Sequence, residues 1–221
     1  MILLESRNLS KIYMAGTRNI PVLKNVSIQI QSGEFVAIQG KSGSGKTTLL
    51  SLMAGLDKPS EGRILFDGAD ITDWSEDRLA PFRNQMMGFV FQSFYLVPSL
   101  TALENIMFPA ELNRDRQARS KAEKLLQQVE LEDRADNLPH QLSGGEKQRI
   151  AICRAVINRP RLIFADEPTG NLDTENSQIV LNILIQMQQE HGAALILVTH
   201  SQFIAGLSNR VIVLKDGAIS Q

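Results

Sequence analysis

One segment, residues 40–47 with the sequence GKSGSGKT, constrains the fold more than any other part of the chain. It follows residues 35–38, a short apolar run with strand character, and precedes residues 47–54, which have the composition of a helix ending at Gly55. Glycines allow successive backbone N–H groups to point at one anion, and the following helix directs its positive end at the same place. The pattern G-x-x-x-x-G-K-[ST] therefore predicts a strand, a phosphate-binding loop and a helix, in that order.

Two further apolar runs, at residues 162–165 and 194–198, have the length of buried strands. Between them, apolar residues recur at helical spacing from Val180 to Met187. Strands of this kind alternating with helices indicate an α/β fold in which a parallel sheet is covered on both faces. Residues 211–217 have the pattern of a late β-hairpin.

Residues from about 100 to 158 differ from the rest, because their pattern is helical and rich in charges of both signs. We interpret this stretch as a helical subdomain inserted into the α/β core. The expected organisation is a single domain over residues 1–221, with its core at about 1–92 and 159–221 and the helical subdomain at about 93–158.

Composition excludes several classes of protein. The chain carries 23 Lys and Arg against 24 Asp and Glu, a net charge of -1 that argues against a nucleic-acid-binding protein. The longest apolar run, residues 193–198, is far shorter than the ~20 residues of a membrane-spanning helix. The first residues lack a signal-peptide pattern, and a single cysteine, Cys153, excludes an intrachain disulfide. We therefore expect a cytoplasmic protein that binds no nucleic acid and does not itself insert into a membrane.

The phosphate loop and the strand at residues 162–165 together predict nucleotide hydrolysis. In such a loop, Lys46 reaches the β- and γ-phosphates and the Thr47 hydroxyl ligates Mg²⁺. The strand ends in Asp166, which is placed to hold Mg²⁺ through water, and Glu167, which can polarise a water for attack on the γ-phosphate. Two acids at a strand end are more often a solvated turn, and it is their combination with the phosphate loop that favours this chemistry.

The segment Leu142-Ser-Gly-Gly-Glu146 opens another helix and predicts a second anion site. Ser143 is a good N-cap, and Glu146 follows three residues later as in a capping box, so an ordinary capped helix is the alternative. Two glycines are costly at a helix start unless the backbone must approach a ligand closely. One nucleotide cannot easily occupy this site and the phosphate loop in the same subunit, which indicates a site shared between two chains.

The order and spacing of these motifs resemble those in the ATP-binding subunits of ABC transporters. The resemblance extends to Gln92, Asn171-Leu172-Asp173 and His200. The resemblance covers essentially the whole chain, and the phosphate loop combined with Leu-Ser-Gly-Gly is highly specific. Residues 88–92, 100–105 and 165–173 look like the subgroup of lipoprotein-releasing and macrolide-exporting ATPases.

The resemblance implies an ATP-hydrolysing motor subunit with a P-loop NTPase core and an antiparallel β part near the N-terminus. Two copies would sandwich two ATP and two Mg²⁺, with Asp173 in the loop at the dimer contact. Tyr13 would stack on adenine, Gln92 would contact Mg²⁺ and the attacking water, and His200 would contact the γ-phosphate. The implied catalytic residues are Glu167, His200 and Gln92; the metal ligands are Thr47, Gln92 and Asp166; and the nucleotide contacts are Tyr13, Gly40, Lys41, Ser42, Gly43, Ser44, Gly45, Lys46, Thr47, Thr48 and Asp166, with Ser143, Gly144, Gly145 and Glu146 acting on the ATP held by the partner subunit.

The resemblance also implies a membrane partner. An integral-membrane permease would dock near Gln92, Phe94 and Tyr95, in an apolar surface cleft built to receive a short helix, and would hold the chain on the cytoplasmic face of the membrane. Buried packing is the alternative for these two aromatic side chains. The sequence does not specify the cargo, because substrate contacts would lie on the permease, but export or the extraction of lipids or lipoproteins is the expected type.

Two positions depart from the family pattern: Ser201 stands where an acid usually follows the histidine, and Cys153 stands where a small alanine is common. Three other functions stay open. An ABC ATPase of DNA repair or translation usually carries coiled-coil inserts or two ATPase halves, and a phosphate-loop kinase would not explain Ser143-Gly-Gly. A scaffold of the cell-division type, which hydrolyses ATP but moves no solute, would be separated from a transporter by its neighbouring gene.

Overall fold

A computed structural model describes residues 1–16 and 18–220. Within this described part the chain forms ten β-strands and seven α-helices. It divides into two compact units: the first combines Met1–Arg83 with Ala194–Gln221, and the second comprises Asn84–Ala193. The α/β class expected from the sequence is confirmed.

An antiparallel sheet with the strand order β2-β1-β4-β5 begins the first unit. Its strands are β1 (Ile2–Ala15), β2 (Arg18–Gln31), β4 (Glu61–Phe66) and β5 (Ala69–Asp70). Along the second half of β2, buried side chains alternate with exposed ones, which is the pattern of a sheet with one face on the core. This sheet is the antiparallel part that the family resemblance implied.

Parallel strands form the rest of the first unit. The strand β3 (Phe35–Gln39) pairs in parallel with β8 (Ala194–Val198) and with β9 (Arg210–Lys215). Every residue of β8 is buried, as expected for a strand covered on both faces. The strand β10 (Ala218–Ser220) returns antiparallel to β9 and confirms the late hairpin. Helices α1 (Lys46–Met53) and α7 (Gln202–Gly206) follow β3 and β8.

Helices dominate the second unit. Its strands β6 (Met87–Phe91) and β7 (Leu162–Asp166) pair in parallel. Its helices are α3 (Ala102–Leu112), α4 (Ala118–Gln128), α5 (Gly144–Val156) and α6 (Thr174–His191), with 3-10 turns at Glu132–Arg134 and Pro139–Gln141, while α2 (Glu76–Met86) runs across the division between the units. The boundaries predicted for a helical subdomain, at about residues 93 and 158, stay a prediction.

Close packing of α5 explains two residues of the second unit. A Cβ atom at Gly88 of β6 would lie 2.4 Å from the carbonyl oxygen of Ala155, so a larger residue would push the strand away from the helix. Cys153, on the same helix, is fully buried, and its Sγ lies 3.6 Å from the carbonyl oxygen of Leu125 in α4. Burial raises the pKa of the Cys153 thiol, so this side chain behaves as a small apolar group in the position where the family commonly has alanine.

Candidate functional site

The loop between β3 and α1 requires glycine at several positions for steric reasons. Gly43 and Gly45 have φ angles of 78° and 98°, and Gly45 is the N-cap of α1. A Cβ atom at Gly40 would lie 2.3 Å from the carbonyl oxygen of Leu214, and one at Gly45 would lie 2.9 Å from that of Val22. The loop is therefore pressed against neighbouring backbone of the first unit, which accounts for glycine at these positions.

Lys46 lies under this loop. Its side chain is almost completely buried, and its Nζ donates hydrogen bonds to the carbonyl oxygens of Gly40 at 3.0 Å and Lys41 at 3.1 Å. An ammonium group has three N–H donors, so one donor remains for an anion beyond these two bonds. The lysine expected to reach phosphate is thus held against the loop backbone.

A buried polar atom tests whether phosphate fits this loop. In the described part of the chain, the Ser44 hydroxyl is buried and has no hydrogen-bond partner. A buried hydroxyl without a partner costs about 1–3 kcal/mol, and a phosphate oxygen would accept its hydrogen bond. Ser44 lines a cleft of about 550 Å³ that is also lined by residues 39–43, Thr199, His200, Gln202 and residues 213–216. The residues present therefore fit a phosphate group in this cleft.

His200 is one of the side chains that the fold brings to the phosphate loop. It follows β8, is exposed, and lines the same cleft as residues 40–44, although 156 to 160 positions separate them in the chain. The next residue, Ser201, is the N-cap of α7, and its side chain accepts a hydrogen bond from the N–H of Ile204 at 3.3 Å. Aspartate caps helices as well as serine does, so this departure from the family pattern preserves the local backbone.

Tyr13 lies beside a charged pair that sequence reasoning missed. The Tyr13 hydroxyl donates to Asp57 Oδ2 at 2.8 Å, and Lys11 Nζ donates to Asp57 Oδ1 at 2.7 Å. The Lys11 ammonium also stands 4.8 Å from the centre of the tyrosine ring. Burial and the bond to Asp57 raise the pKa of Tyr13, although a side-chain hydrogen bond with Thr48 opposes them. No sequence signal could have paired Asp57 with residues 44 and 46 positions away.

Asp166 and Glu167 lie at the carboxyl end of the second unit's parallel strand pair. Asp166, the last residue of β7, is in register with Phe91, and Gln92 follows directly. Glu167 has a φ of 46°, in the left-handed region, and its carbonyl oxygen accepts from the N–H of Gly170 at 3.0 Å. The structure thus brings Asp166, Glu167 and Gln92 to neighbouring strand ends.

Gln92 is bound to the turn that follows Glu167. Its Nε2 donates to Asn171 Oδ1 at 3.0 Å, and a Cβ atom at Gly170 would lie 2.7 Å from the same nitrogen. Glycine at 170 is therefore what leaves room for the glutamine amide. This arrangement ties Gln92 to Asn171, a contact that nothing in the local sequence predicts.

Ser143 and Glu146 form the capping box expected at the start of α5. Glu146 Oε2 accepts from the Ser143 N–H at 2.7 Å, and Ser143 Oγ accepts from the Glu146 N–H at 3.2 Å. Arg134 Nε donates to the other carboxylate oxygen of Glu146 at 3.0 Å. Burial alone would raise the pKa of Glu146, but the hydrogen bonds from Ser143 and Arg134 hold it below its ordinary value. The Glu146 carboxylate therefore has structural partners within its own chain.

Gly145 and Asp173 both lie close to Asn176 in the first turn of α6. A Cβ atom at Gly145 would lie 2.4 Å from Asn176 Oδ1, which explains glycine at this helix start without a ligand. Asp173 is the N-cap of α6, accepting from the N–H of Asn176 at 2.8 Å and from its side-chain Nδ2 at 2.7 Å. These bonds lower the pKa of Asp173 and hold its loop in place.

A comparison with known protein families shows which family has this set of motifs. The model of the ABC transporter family matches residues 23–170. The chain belongs to the ABC transporter family. Membership removes the phosphate-loop kinase from the alternatives left open by the sequence.

Relatives and a solved structure agree with this assignment. The lipoprotein-releasing system ATP-binding protein LolD of Idiomarina loihiensis is 46% identical over 219 residues, which cover 98% of this chain and 96% of the relative. The macrolide export ATP-binding/permease protein MacB of Rhodopirellula baltica is 48% identical over 96% of this chain, but the chain spans only 32% of that relative's length. A post-hydrolysis dimer of the ATP-binding cassette MJ0796, bound to ADP and Pi, superposes with a TM-score of 0.91 at 40% identity, covering 99% of this chain and 97% of that one.

Among the described residues, no helix is both long enough and apolar enough to cross a bilayer. The described residues also contain no group of three or more His, Cys, Asp or Glu placed to hold a metal ion. Mg²⁺ does not require such a group, since it usually keeps several waters and binds one or two carboxylates together with substrate phosphates.

Proposed function

We propose that this chain binds ATP with Mg²⁺, hydrolyses it, and uses the cycle to drive a separate membrane permease. The observation that carries the proposal is the glycine-rich phosphate loop, with Lys46 bound to its carbonyl oxygens and a buried Ser44 hydroxyl that lacks a partner among the described residues. Backbone N–H groups of the loop would bind the phosphates, and Thr47, Gln92 and Asp166 are the residues that would hold Mg²⁺. When bound, the metal would neutralise charge developing on the phosphates.

We assign the proton-accepting role in hydrolysis to Glu167. It follows a strand end next to Gln92, and a carboxylate there would accept a proton from the attacking water. Gln92 would orient that water, and His200 would bind the γ-phosphate from the cleft it shares with the phosphate loop. Tyr13 would stack on the adenine.

A homodimer is part of the proposal. Ser143, Gly144 and Gly145 begin a helix whose positive end favours an anion, and we assign that anion to the ATP of the second subunit. The solved relative described as a dimer with ADP and Pi supports this arrangement. Each subunit would then contribute to both sites, and ATP would close the dimer.

The permease would dock at Phe94 and Tyr95. Both residues have positive φ angles, 61° and 46°, and Tyr95 is 66% exposed although it packs edge-on against Phe91 at 5.2 Å. Two left-handed non-glycine residues in succession are costly, roughly 1–3 kcal/mol each, so the surrounding structure must hold them. This strained backbone conformation directs the Tyr95 side chain towards solvent and not into the core.

Arg154 supplies that support. Its guanidinium donates to the carbonyl oxygen of Tyr95 at 2.5 Å and to that of Phe94 at 2.8 Å. Burial lowers the pKa of Arg154, and two backbone carbonyls offset part of the cost of burying the guanidinium. Arg154 thus locks the backbone of the proposed docking loop, two residues after Gln92.

The names of the relatives support a role in export or in lipoprotein release. The chain would act on the cytoplasmic face of the membrane, where the permease would hold it. One relative is named for macrolides and another for lipoproteins, so the cargo class is not common to both. The experiment is to purify the chain with its native membrane partner and measure ATP hydrolysis with and without it. Permease-stimulated hydrolysis that Lys46→Ala abolishes is the expected result, and a chain that hydrolyses no ATP in either state would refute the proposal.

A further inference from the structure

Among the buried polar side chains described in the second unit, Gln148 is distinguished by an amide oxygen without a hydrogen-bond partner. Gln148, in α5, is completely buried. Its Nε2 donates a hydrogen bond to the carbonyl oxygen of Pro168 at 2.6 Å, while its Oε1 is buried without a partner in the described part of the chain. An unpartnered buried amide oxygen costs free energy, so an apolar side chain of the same size would stabilise this position better.

The carbonyl that Gln148 holds belongs to the residue after Glu167. Glu167 has a φ of 46° and precedes a proline, and a pre-proline residue strongly prefers an extended backbone. The left-handed conformation of Glu167 therefore needs support from outside the segment. The Gly170 N–H fixes the carbonyl of Glu167, and the Gln148 amide fixes that of Pro168.

We propose that Gln148 is a positioning residue for hydrolysis: by anchoring the Pro168 carbonyl, it sets the backbone from which the Glu167 carboxylate projects. This inference rests on the proposed function of Glu167. Gln148 would touch neither ATP nor water. It acts through a bond between α5, whose first residues we assign to the partner's ATP, and the turn that carries the proton acceptor of its own subunit.

The test replaces Gln148 with methionine, which keeps the size and shape of the side chain but removes the N–H donor and the unpartnered oxygen. We expect kcat for ATP hydrolysis to fall about tenfold or more, as for a misplaced reacting group, with KM for ATP changed less than about twofold. The substitution leaves the Pro168 carbonyl without its donor but also removes the unpartnered Oε1, so the melting temperature should stay near that of the wild type. A purely structural role would lower the melting temperature together with kcat.

A matched control exists in the same unit. Gln188 in α6 is also buried, and its Nε2 donates to a backbone carbonyl, that of Ala193. Gln188→Met removes the same kind of hydrogen bond, but one to the Ala193 carbonyl, which lies outside the turn that follows Glu167, and it should leave kcat near the wild-type value. If both variants lower kcat alike, the effect is general to buried glutamines and the proposal is wrong.

A double-mutant cycle separates this inference from the function of Glu167 itself. In single-turnover measurements, Gln148→Met should lower the rate in the wild-type background but not further in the Glu167→Gln background. Equal losses in both backgrounds, or wild-type kcat in Gln148→Met, would overturn the positioning role. Wild-type hydrolysis by Glu167→Gln alone would instead refute the assignment of Glu167. If the methionine variant does not fold, Gln148→Asn keeps an amide that is one methylene too short to reach Pro168, and it should show the same loss of kcat.

Discussion

Gln92 and Asn171 hold each other through two reciprocal hydrogen bonds: Gln92 Nε2 donates to Asn171 Oδ1 at 3.0 Å, and Asn171 Nδ2 donates to the Gln92 backbone carbonyl at 3.1 Å. The pair joins residues 79 positions apart and links the ends of β6 and β7. Under the proposed function, the pair holds Gln92, which would orient the attacking water, against the turn that follows Glu167.

Asn171→Ala should release Gln92. Losing two hydrogen bonds, each with a net value of about 0.5–1.5 kcal/mol, should lower kcat for ATP hydrolysis by about fivefold or more while ATP affinity stays the same. Because the two side chains act as one unit, Gln92→Ala combined with Asn171→Ala should cost no more than Gln92→Ala alone. Additive losses in this cycle would contradict the pairing.

Glu167→Gln should separate binding from chemistry. The substitution preserves shape but removes the negative charge that accepts a proton, so kcat should fall about 100-fold or more while ATP still binds. Lys46→Ala should instead weaken nucleotide affinity, since Lys46 is the buried cation at the phosphate loop. Equilibrium binding of ATP and steady-state turnover, measured on both variants, distinguish the two defects. Weak ATP binding by Glu167→Gln would contradict the assignment.

Sharing of sites between subunits predicts complementation. A Lys46→Ala chain mixed with a Ser143→Arg chain should form heterodimers with one site in which the phosphate loop and the partner's Ser143 are both intact, so mixing should restore hydrolysis that neither variant shows alone. Sedimentation of Glu167→Gln should show a monomer without nucleotide and a dimer with ATP and Mg²⁺, because binding that occurs only in the dimer stabilises it by mass action. A monomer at saturating ATP would contradict a shared site.

Tyr95→Ala should uncouple the permease without impairing hydrolysis. The side chain is 66% exposed, so its removal should change stability by less than about 0.5 kcal/mol and leave basal turnover intact. Loss of an aromatic anchor should weaken permease binding by about 2 kcal/mol, and Phe94→Ala should also abolish cargo movement. Leu56→Ala, which truncates another exposed apolar side chain, is the control and should leave coupling unchanged. Normal permease binding and transport by the Phe94 and Tyr95 variants would remove the docking assignment.

The Glu146 capping box predicts a specific dependence of stability on pH. Its carboxyl pKa is below the ordinary value of 4.5 in the folded chain, so the stabilisation is present above that value and is lost as pH falls through the lower folded pKa. Chemical unfolding should therefore show that the free energy of unfolding falls less between about pH 6 and pH 3 for Glu146→Gln than for the wild type. An equal fall in the free energy of unfolding of both proteins would show that the Glu146 carboxylate does not contribute to the pH dependence of stability.

Local sequence predicted the parts of this protein that depend on neighbouring residues. The strand, glycine-rich loop and helix at residues 35–54, the buried strands before Asp166 and Thr199, and the Ser143–Glu146 capping box are all present. Each follows from apolar periodicity, glycine conformation or a side chain three residues away, and these act over a few residues of any chain. Such patterns also identified the family.

Tertiary structure decided which distant groups meet. The bond from Gln148 to Pro168, the Gln92–Asn171 pair and the contact of Lys11 and Tyr13 with Asp57 join residues 20 to 79 positions apart, and no periodicity encodes them. The left-handed turn at Phe94 and Tyr95 is also a tertiary effect, because positive φ at two successive non-glycine residues needs support from the surrounding structure, which the Arg154 guanidinium supplies by binding both carbonyls. Sequence determined the chemical groups and the helices and strands that carry them. The register and packing of those elements determined which side chain restrains which other residue, because these contacts depend on the path of the folded backbone.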